Sequence, residues 1–207
     1  MTWIKICGLT NVEDALAASS LGTDALGFIF APSPRRVTPA LARDIIRRLS
    51  PPTFKVGVFV DEEIDIVRRI AGECHLDAVQ LHGRETPEYC GQLPIPVIKA
   101  IRVKDAASLE AIPLYPSVSI LLDAFNPGQA GGTGKTFCWG VARLARETRN
   151  FILSGGLHPG NVRQAIRLLR PWGVDVCSGV EKIPGQKDQT KMLDFIKEAK
   201  AADENPR

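Results

Sequence analysis

The sequence lacks most of the features that announce a protein class at first sight. No two of its cysteines stand in a C-x-x-C pair. Cys7, Cys74, Cys90, Cys138 and Cys177 are odd in number and widely, irregularly spaced, which suggests neither a zinc site nor a redox dithiol. Free thiols in a reducing, cytoplasmic compartment are the simplest expectation. No charged segment followed by an apolar stretch and a cleavage site opens the chain, so no signal peptide is expected. No apolar run approaches the length of a membrane span. The net charge is only +3, and the basic residues are dispersed, so neither nucleic acid nor an anionic membrane is expected as a partner.

What is present is a rhythm. In 207 residues, 44% of them hydrophobic, the chain holds enough apolar material for one sizeable core. Short apolar or β-branched runs recur as "WIKIC", "ALGFIF", "KVGVF", "DAVQL", "PVIKA", "SVSILLD", "FILS" and "VDVC". Most are apolar almost throughout, the pattern of parallel strands covered on both faces. Helical stretches alternate with them. "NVEDALAASSLG" begins with an Asn cap, carries Asp14 in its first turn and ends on Gly22. "TPALARDIIRRLS" has Thr38 as cap and Pro39 at the first helical position. "DEEIDIVRRIAGE", "TPEYCGQL", "WGVARLARET", "HPGNVRQAIRLL" and "QTKMLDFIKEAK" follow. "VKDAASLEAIP" is the weakest, so the helix after the fifth strand is expected to be short or missing.

Eight strands alternating with about eight helices leave two α/β architectures, an open doubly wound sheet and a closed (β/α)8 TIM barrel. A dinucleotide-binding sheet calls for G-x-G-x-x-G after its first strand; "CGLTNVED" lacks it. Polar and glycine signals follow many strands rather than one switch point. The expectation is therefore a single compact barrel over residues 1–207, with its site built from loops at the C-terminal ends of the strands.

Those ends carry Cys7 after the first strand, Arg35 and Arg36 after the second, Gln80 and His82 after the fourth, and Asp123 after the sixth. "SGGL" follows the seventh strand and "CSGVE" the eighth. Glycine-rich turns on these two adjacent strands expose backbone N–H groups, the usual phosphate cradle of a barrel. "GGTGKT" resembles a nucleotide P-loop, but that motif needs glycine at position 129, which holds Gln129. A glycine loop closing over a ligand is the better reading. Strand parity puts Lys5 on the face of Cys7 and pairs Leu121 with Asp123 and Gln80 with His82. A thiol and a carboxylate meeting across the pocket form an acid–base pair that needs no metal and no cofactor. Lys5 has two readings, a cation that lowers the thiol's pKa or an interior charge paired with a carboxylate such as Asp175.

"KICGLTNVEDA", "GFIFAPSPRRV", "VGVFV", "VQLHG", "LLDAFNPGQAGGTGKTF", "LSGGLHPGNV" and "VDVCSGVE", in this order from about residue 3 to residue 200, resemble phosphoribosylanthranilate isomerase of tryptophan biosynthesis. The resemblance implies a cofactor-free barrel that converts N-(5-phosphoribosyl)anthranilate into 1-(2-carboxyphenylamino)-1-deoxyribulose 5-phosphate by an Amadori rearrangement. It implies Cys7 as general base and Asp123 as general acid. It further implies Arg35 at the anthranilate carboxylate, with Arg36 an open alternative, and backbone phosphate contacts at Gly132, Gly155, Gly156, Ser178 and Gly179. Gln80 and His82 are taken as substrate-binding. One departure is Cys138, where the family usually has an Asp that reads as a helix cap worth ~1 kcal/mol. Another sugar-phosphate barrel enzyme, or a non-catalytic phosphate-ligand barrel, remains open, as does the choice between monomer and homodimer.

Overall fold

Eight parallel strands close on themselves in chain order: β1 (Trp3–Cys7), β2 (Ala25–Ile29), β3 (Phe54–Phe59), β4 (Ala78–Leu81), β5 (Val97–Val103), β6 (Ser119–Ala124), β7 (Phe151–Ser154) and β8 (Gly173–Val176). The structure, a computed structural model, describes residues 1–50, 52–124, 141 and 150–204. The ring shuts where β8 pairs with β1, with Lys5 facing Asp175 and Ile6 facing Val176. The barrel expected from the alternating pattern is the one observed.

Alternation along each strand builds two cores. Inward-facing Ala25, Val56, Ala78, Ile98, Ala100, Leu121 and Ile152 fill the barrel. Their outward neighbours, such as Ile4, Ile6, Leu26 and Val79, pack under the helices. Both strand faces are therefore buried, which is why the strands read as continuous apolar runs. The inner filling is small and apolar; toward the C-terminal ends the inward row becomes polar, with Cys7, Gln80, Asp123 and Ser154.

The helices start and stop where the sequence signals them. In α1 (Val12–Ser20) the Asn11 side chain accepts a hydrogen bond from Asp14 N at 2.8 Å. Gly22 beyond its end has φ +81°, a left-handed conformation glycine adopts without strain. In α2 (Pro39–Ile46) Thr38 caps and Pro39 leads. α3 (Ile64–Glu73), α4 (Pro87–Gly91) and α5 (Val162–Leu169) follow. α6 (Gln189–Asp203) buries Met192, Phe195, Ile196, Ala199 and Ala202 along one stripe; Phe195 alone contributes ~2–3 kcal/mol by leaving water. After β5 there is only a 3-10 helix (Ala106–Leu114), with Asp105 and Ser108 capping each other. Of the helix expected over residues 139–148 only Val141 is described, and Gly132, Lys135, Thr136 and Cys138 lie outside the described residues.

One element has no counterpart in the sequence reading. After β8 a one-turn 3-10 helix (Ser178–Val180) leads into a small antiparallel hairpin, β9 (Glu181–Ile183) and β10 (Gln186–Lys187). It lies over the barrel mouth beside β1 and positions two charged side chains there.

Candidate active site

Cys7 ends β1 facing inward and is buried, with Lys5 one inward step below it. Lys5 is fully buried and its Nζ donates to Asp175 Oδ1 at 2.6 Å. Ser154 donates to the other Asp175 oxygen at 3.0 Å. Burial by itself pushes the Lys5 ammonium down, but Asp175 and Cys7 outweigh it and its pKa is raised. A permanent cation therefore sits under the thiol, and both sequence readings of Lys5 hold at once.

Cys7 itself is shifted the other way. A hydrogen bond from the Cys177 thiol is the largest influence; burial opposes it, and Lys5 and Lys187 reinforce it. The Cys7 pKa falls to about 6. Cys177 carries the complementary shift: its thiol is held well above its ordinary range, first by the hydrogen bond to Cys7 and then by burial. Within the pair Cys7 is thus the more acidic thiol and Cys177 the less. Gly27, opposite Cys7 in the β1–β2 ladder, leaves room for the sulfur; a Cβ there would lie 2.6 Å from Cys7 Sγ.

Asp123 is the last residue but one of β6, the third strand from β1 round the ring by way of β7 and β8. Acid and base therefore bracket the two strands whose loops hold the glycines. His82 Nε2 lies 3.1 Å from Asp123 Oδ2, and Gln80 Nε2 lies 3.1 Å from His82 Nδ1. With the Gln80 amide donating, Nδ1 accepts and Nε2 carries the proton toward Asp123. Gln80 and His82, expected to bind substrate, thus form a row in which Gln80 reaches His82 and His82 reaches the Asp123 carboxylate. A buried pair, Lys99 Nζ to Glu85 Oε2 at 2.8 Å, anchors the loop that carries His82, because Glu85 also accepts from Gly83 N and Asp61 N.

The loops after β7 and β8 meet each other. Gly155 and Gly156 have φ +87° and +66°, a consecutive pair open only to glycine without strain. Asn161, buried, donates to Gly156 O at 2.9 Å and accepts from His158 N at 2.8 Å, which fixes the turn. At Gly179 a Cβ would lie 1.9 Å from Leu157 O, so the backbone of one loop rests on the other. Ser178 opens the one-turn helix beside them.

Arg35 and Arg36 separate cleanly. Arg35 turns inward and grips Glu181 with two bonds, Nε to Oε1 at 2.8 Å and Nη2 to Oε2 at 2.7 Å. That contact, against the opposing effect of burial, raises the Arg35 pKa. Arg36 is exposed and joins the fold through its backbone. Glu181 also accepts from Lys187 Nζ at 3.0 Å, and Lys187 Nζ donates to Cys177 O at 3.0 Å. The chain Arg35–Glu181–Lys187–Cys177–Cys7 was not visible in the sequence, because the hairpin that joins it reads as a loop. Arg102 was also passed over; it is exposed at the end of β5 and is the register partner of Asp123.

Known proteins match this chain over nearly its whole length. A family model described as N-(5'phosphoribosyl)anthranilate (PRA) isomerase matches residues 4–198. A protein of Desulforudis audaxviator named N-(5'-phosphoribosyl)anthranilate isomerase is 50% identical over 204 residues, covering 98% of this chain and 100% of that one. The crystal structure of phosphoribosyl anthranilate isomerase from Thermotoga maritima superimposes with a TM-score of 0.93 at 46% identity, over 97% of this chain and 100% of that one. A further crystal structure, of a phosphoribosyl anthranilate isomerase in complex with reduced 1-(o-carboxyphenylamino)-1-deoxyribulose 5-phosphate, gives a TM-score of 0.89 at 44% identity, with the same coverage.

Proposed function

This chain belongs to the N-(5'-phosphoribosyl)anthranilate isomerase family, and from that premise we propose that Cys7 is the general base and Asp123 the general acid of its reaction. The protein is an isomerase of tryptophan biosynthesis, converting N-(5'-phosphoribosyl)anthranilate into 1-(2-carboxyphenylamino)-1-deoxyribulose 5-phosphate. What supports the assignment of roles is the place of Cys7, inward at the end of β1 with the buried Lys5 ammonium one step below it and with its thiol lowered to about 6. Such a group is ionised at neutral pH and can take a proton from carbon without a metal.

Asp123 gives its proton to the ribose ring oxygen as the C1–O bond opens, and the anthranilate nitrogen supplies the electron pair that makes the iminium. The Cys7 thiolate removes the proton from C2, and that electron pair becomes the C1–C2 double bond of an enolamine. Tautomerisation moves a proton to C1 and leaves the ketone at C2. His82, in contact with Asp123 Oδ2, aims the carboxyl group, and Gln80 fixes the ring of His82. We place the substrate phosphate on the backbone of Gly155, Gly156, Ser178 and Gly179; Gly132, which the resemblance also implies, lies outside the described residues. Arg35 is the cation for the anthranilate carboxylate; Glu181 engages its Nε and Nη2, and Nη1 is left to the ligand. The four described cysteines are free thiols, in keeping with a cytoplasmic protein.

The test follows the fluorescence of freshly prepared phosphoribosylanthranilate. The protein should consume it with no added metal or cofactor. The Cys7→Ala and Asp123→Asn variants, folded by circular dichroism, should each lose ~10²–10⁴-fold in kcat. Wild-type turnover in either variant would remove that residue from its role.

A further inference from the structure

We propose that Cys7 and Cys177 are a peroxide-oxidisable thiol pair, in which Cys7 is attacked and Cys177 resolves the product to a reversible disulfide across the β1–β8 seam. The β1–β8 ladder faces Lys5 with Asp175 and Ile6 with Val176, and Cys7 and Cys177 are the residues that follow this last pair. Neighbouring strands run ~4.8 Å apart, inside the ~4.4–6.8 Å that a disulfide needs between Cα atoms. Cys177 has already left the strand, with ψ −83°, so its side chain is not held parallel to that of Cys7. The Cys177 sulfur lies against Gly8, the residue that follows Cys7.

The surroundings favour the same chemistry. A Cβ on Gly8 would lie 2.8 Å from Cys177 Sγ, and one on Gly27 would lie 2.6 Å from Cys7 Sγ. Two glycines thus leave the space the sulfurs occupy. Lys187 Nζ lies 3.9 Å from Cys177 Sγ and favours its thiolate as it attacks. The Cys7 thiol is the more acidic of the two and the Cys177 thiol the less, the order that the two steps require. The other described cysteines lack this setting: burial pushes the Cys74 and Cys90 thiols up.

In the first step the Cys7 thiolate attacks one oxygen of a hydroperoxide. The S–O bond forms, the O–O bond breaks, and the departing hydroxide takes a proton to leave as water. In the second, Cys177 sulfur attacks the sulfenic sulfur of Cys7. The S–S bond forms, the S–O bond breaks, and hydroxide leaves with the Cys177 proton as a second water. Two thiols lose two electrons and one peroxide is reduced. Because a sulfenic acid left unresolved proceeds to irreversible sulfinic acid, Cys177 protects the thiol it faces. The loss of activity rests on Cys7 being the base; the disulfide itself does not.

The purified protein is treated with hydrogen peroxide, blocked with an alkylating agent and digested without reductant. A peptide pair linking Cys7 to Cys177 is expected, with turnover down ~10²-fold or more and restored by dithiothreitol. In Cys177→Ser the same treatment should yield Cys7 sulfinic acid and a loss that dithiothreitol does not reverse. Sulfinic Cys7 in the unmodified sequence with no linked pair, or both thiols still alkylatable, would overturn the proposal. A linked pair with unimpaired turnover would instead uphold the pair and remove Cys7 from its role as base.

Discussion

Lys5 Nζ meets Asp175 Oδ1 at 2.6 Å inside the barrel, across the seam between its first and last strands. The contact does two things. It ties the ring shut at the point where the chain's two ends must find each other, and it holds a cation below Cys7. A buried pair is only weak evidence for net stability, since two desolvated charges roughly offset their attraction. Its placement under the thiol gives it a second use.

Replacing Lys5 by methionine leaves Asp175 buried with Ser154 as its remaining side-chain donor among the described residues. Loss of one partner of a buried pair typically costs ~3–5 kcal/mol, to be read as a lower denaturant midpoint with unchanged slope. The Cys7 pKa should rise, because Lys5 favours its thiolate. The pH dependence of Cys7 alkylation should therefore move to higher pH than in the parent. An unmoved alkylation profile in a folded variant would show that Cys177 alone sets the thiol.

Gly27→Ala tests the space for the sulfur. The added Cβ would lie 2.6 Å from Cys7 Sγ and 3.0 Å from Cys7 Cα, so the thiol and its strand must shift. Overpacking of this kind costs ~1–3 kcal/mol. The expected outcome is a folded barrel with kcat lowered more than KM is raised, because the displaced group is the base and not a binding contact. A variant with parental kcat would argue that Cys7 does not need this position.

The strands and most helices were legible in the sequence because the physics that fixes them is local. A strand buried on both faces has to be apolar throughout, as "FILS" is, and Thr38 followed by Pro39 can hardly be other than a helix start. Cys7 and Asp123 were legible as strand ends, and Lys5 as the inward neighbour of Cys7. The link from Arg35 through Glu181 and Lys187 to Cys177 was not, since it depends on "EKIPGQK" folding back as a hairpin over the mouth. Cys177 likewise stood far from Cys7 in the chain and looked like one of several scattered thiols; only closure of the ring makes them neighbours. Gln80 and His82 showed their common face but not that Asp123 would be their target.

Phosphate placement has its own signature. Inorganic phosphate should compete with substrate, because backbone amides of the β7 and β8 loops make the cradle. Gly156 has φ +66°, so Gly156→Val strains the turn and fills the space over it. KM should rise more than kcat falls, and competition by phosphate should weaken in parallel. An unchanged KM in a folded Gly156→Val protein would move the phosphate elsewhere.

The pH profile bears most directly on Cys7. With its pKa lowered to about 6 by the Cys177 hydrogen bond and by Lys5, the thiol is mostly protonated at pH 5 and mostly ionised at pH 7. As only the thiolate takes a proton from carbon, the rising limb of kcat/KM should be centred near 6, whereas an unperturbed thiol would place that rise near ~8.5. Cys177→Ala removes the largest influence lowering the Cys7 pKa, so the rise should move to higher pH. Cys7→Ser should remain nearly inactive throughout the range, since a serine hydroxyl is too weak an acid to supply an anionic base. Asp123→Asn should be equally damaging, because an amide cannot give the proton that opens the ring. Removing both groups should cost less than the product of the single losses, as the two serve one reaction path. A rise near 6 that persists in Cys7→Ala would belong to another group, and the base would then have to be sought among the remaining residues of the mouth.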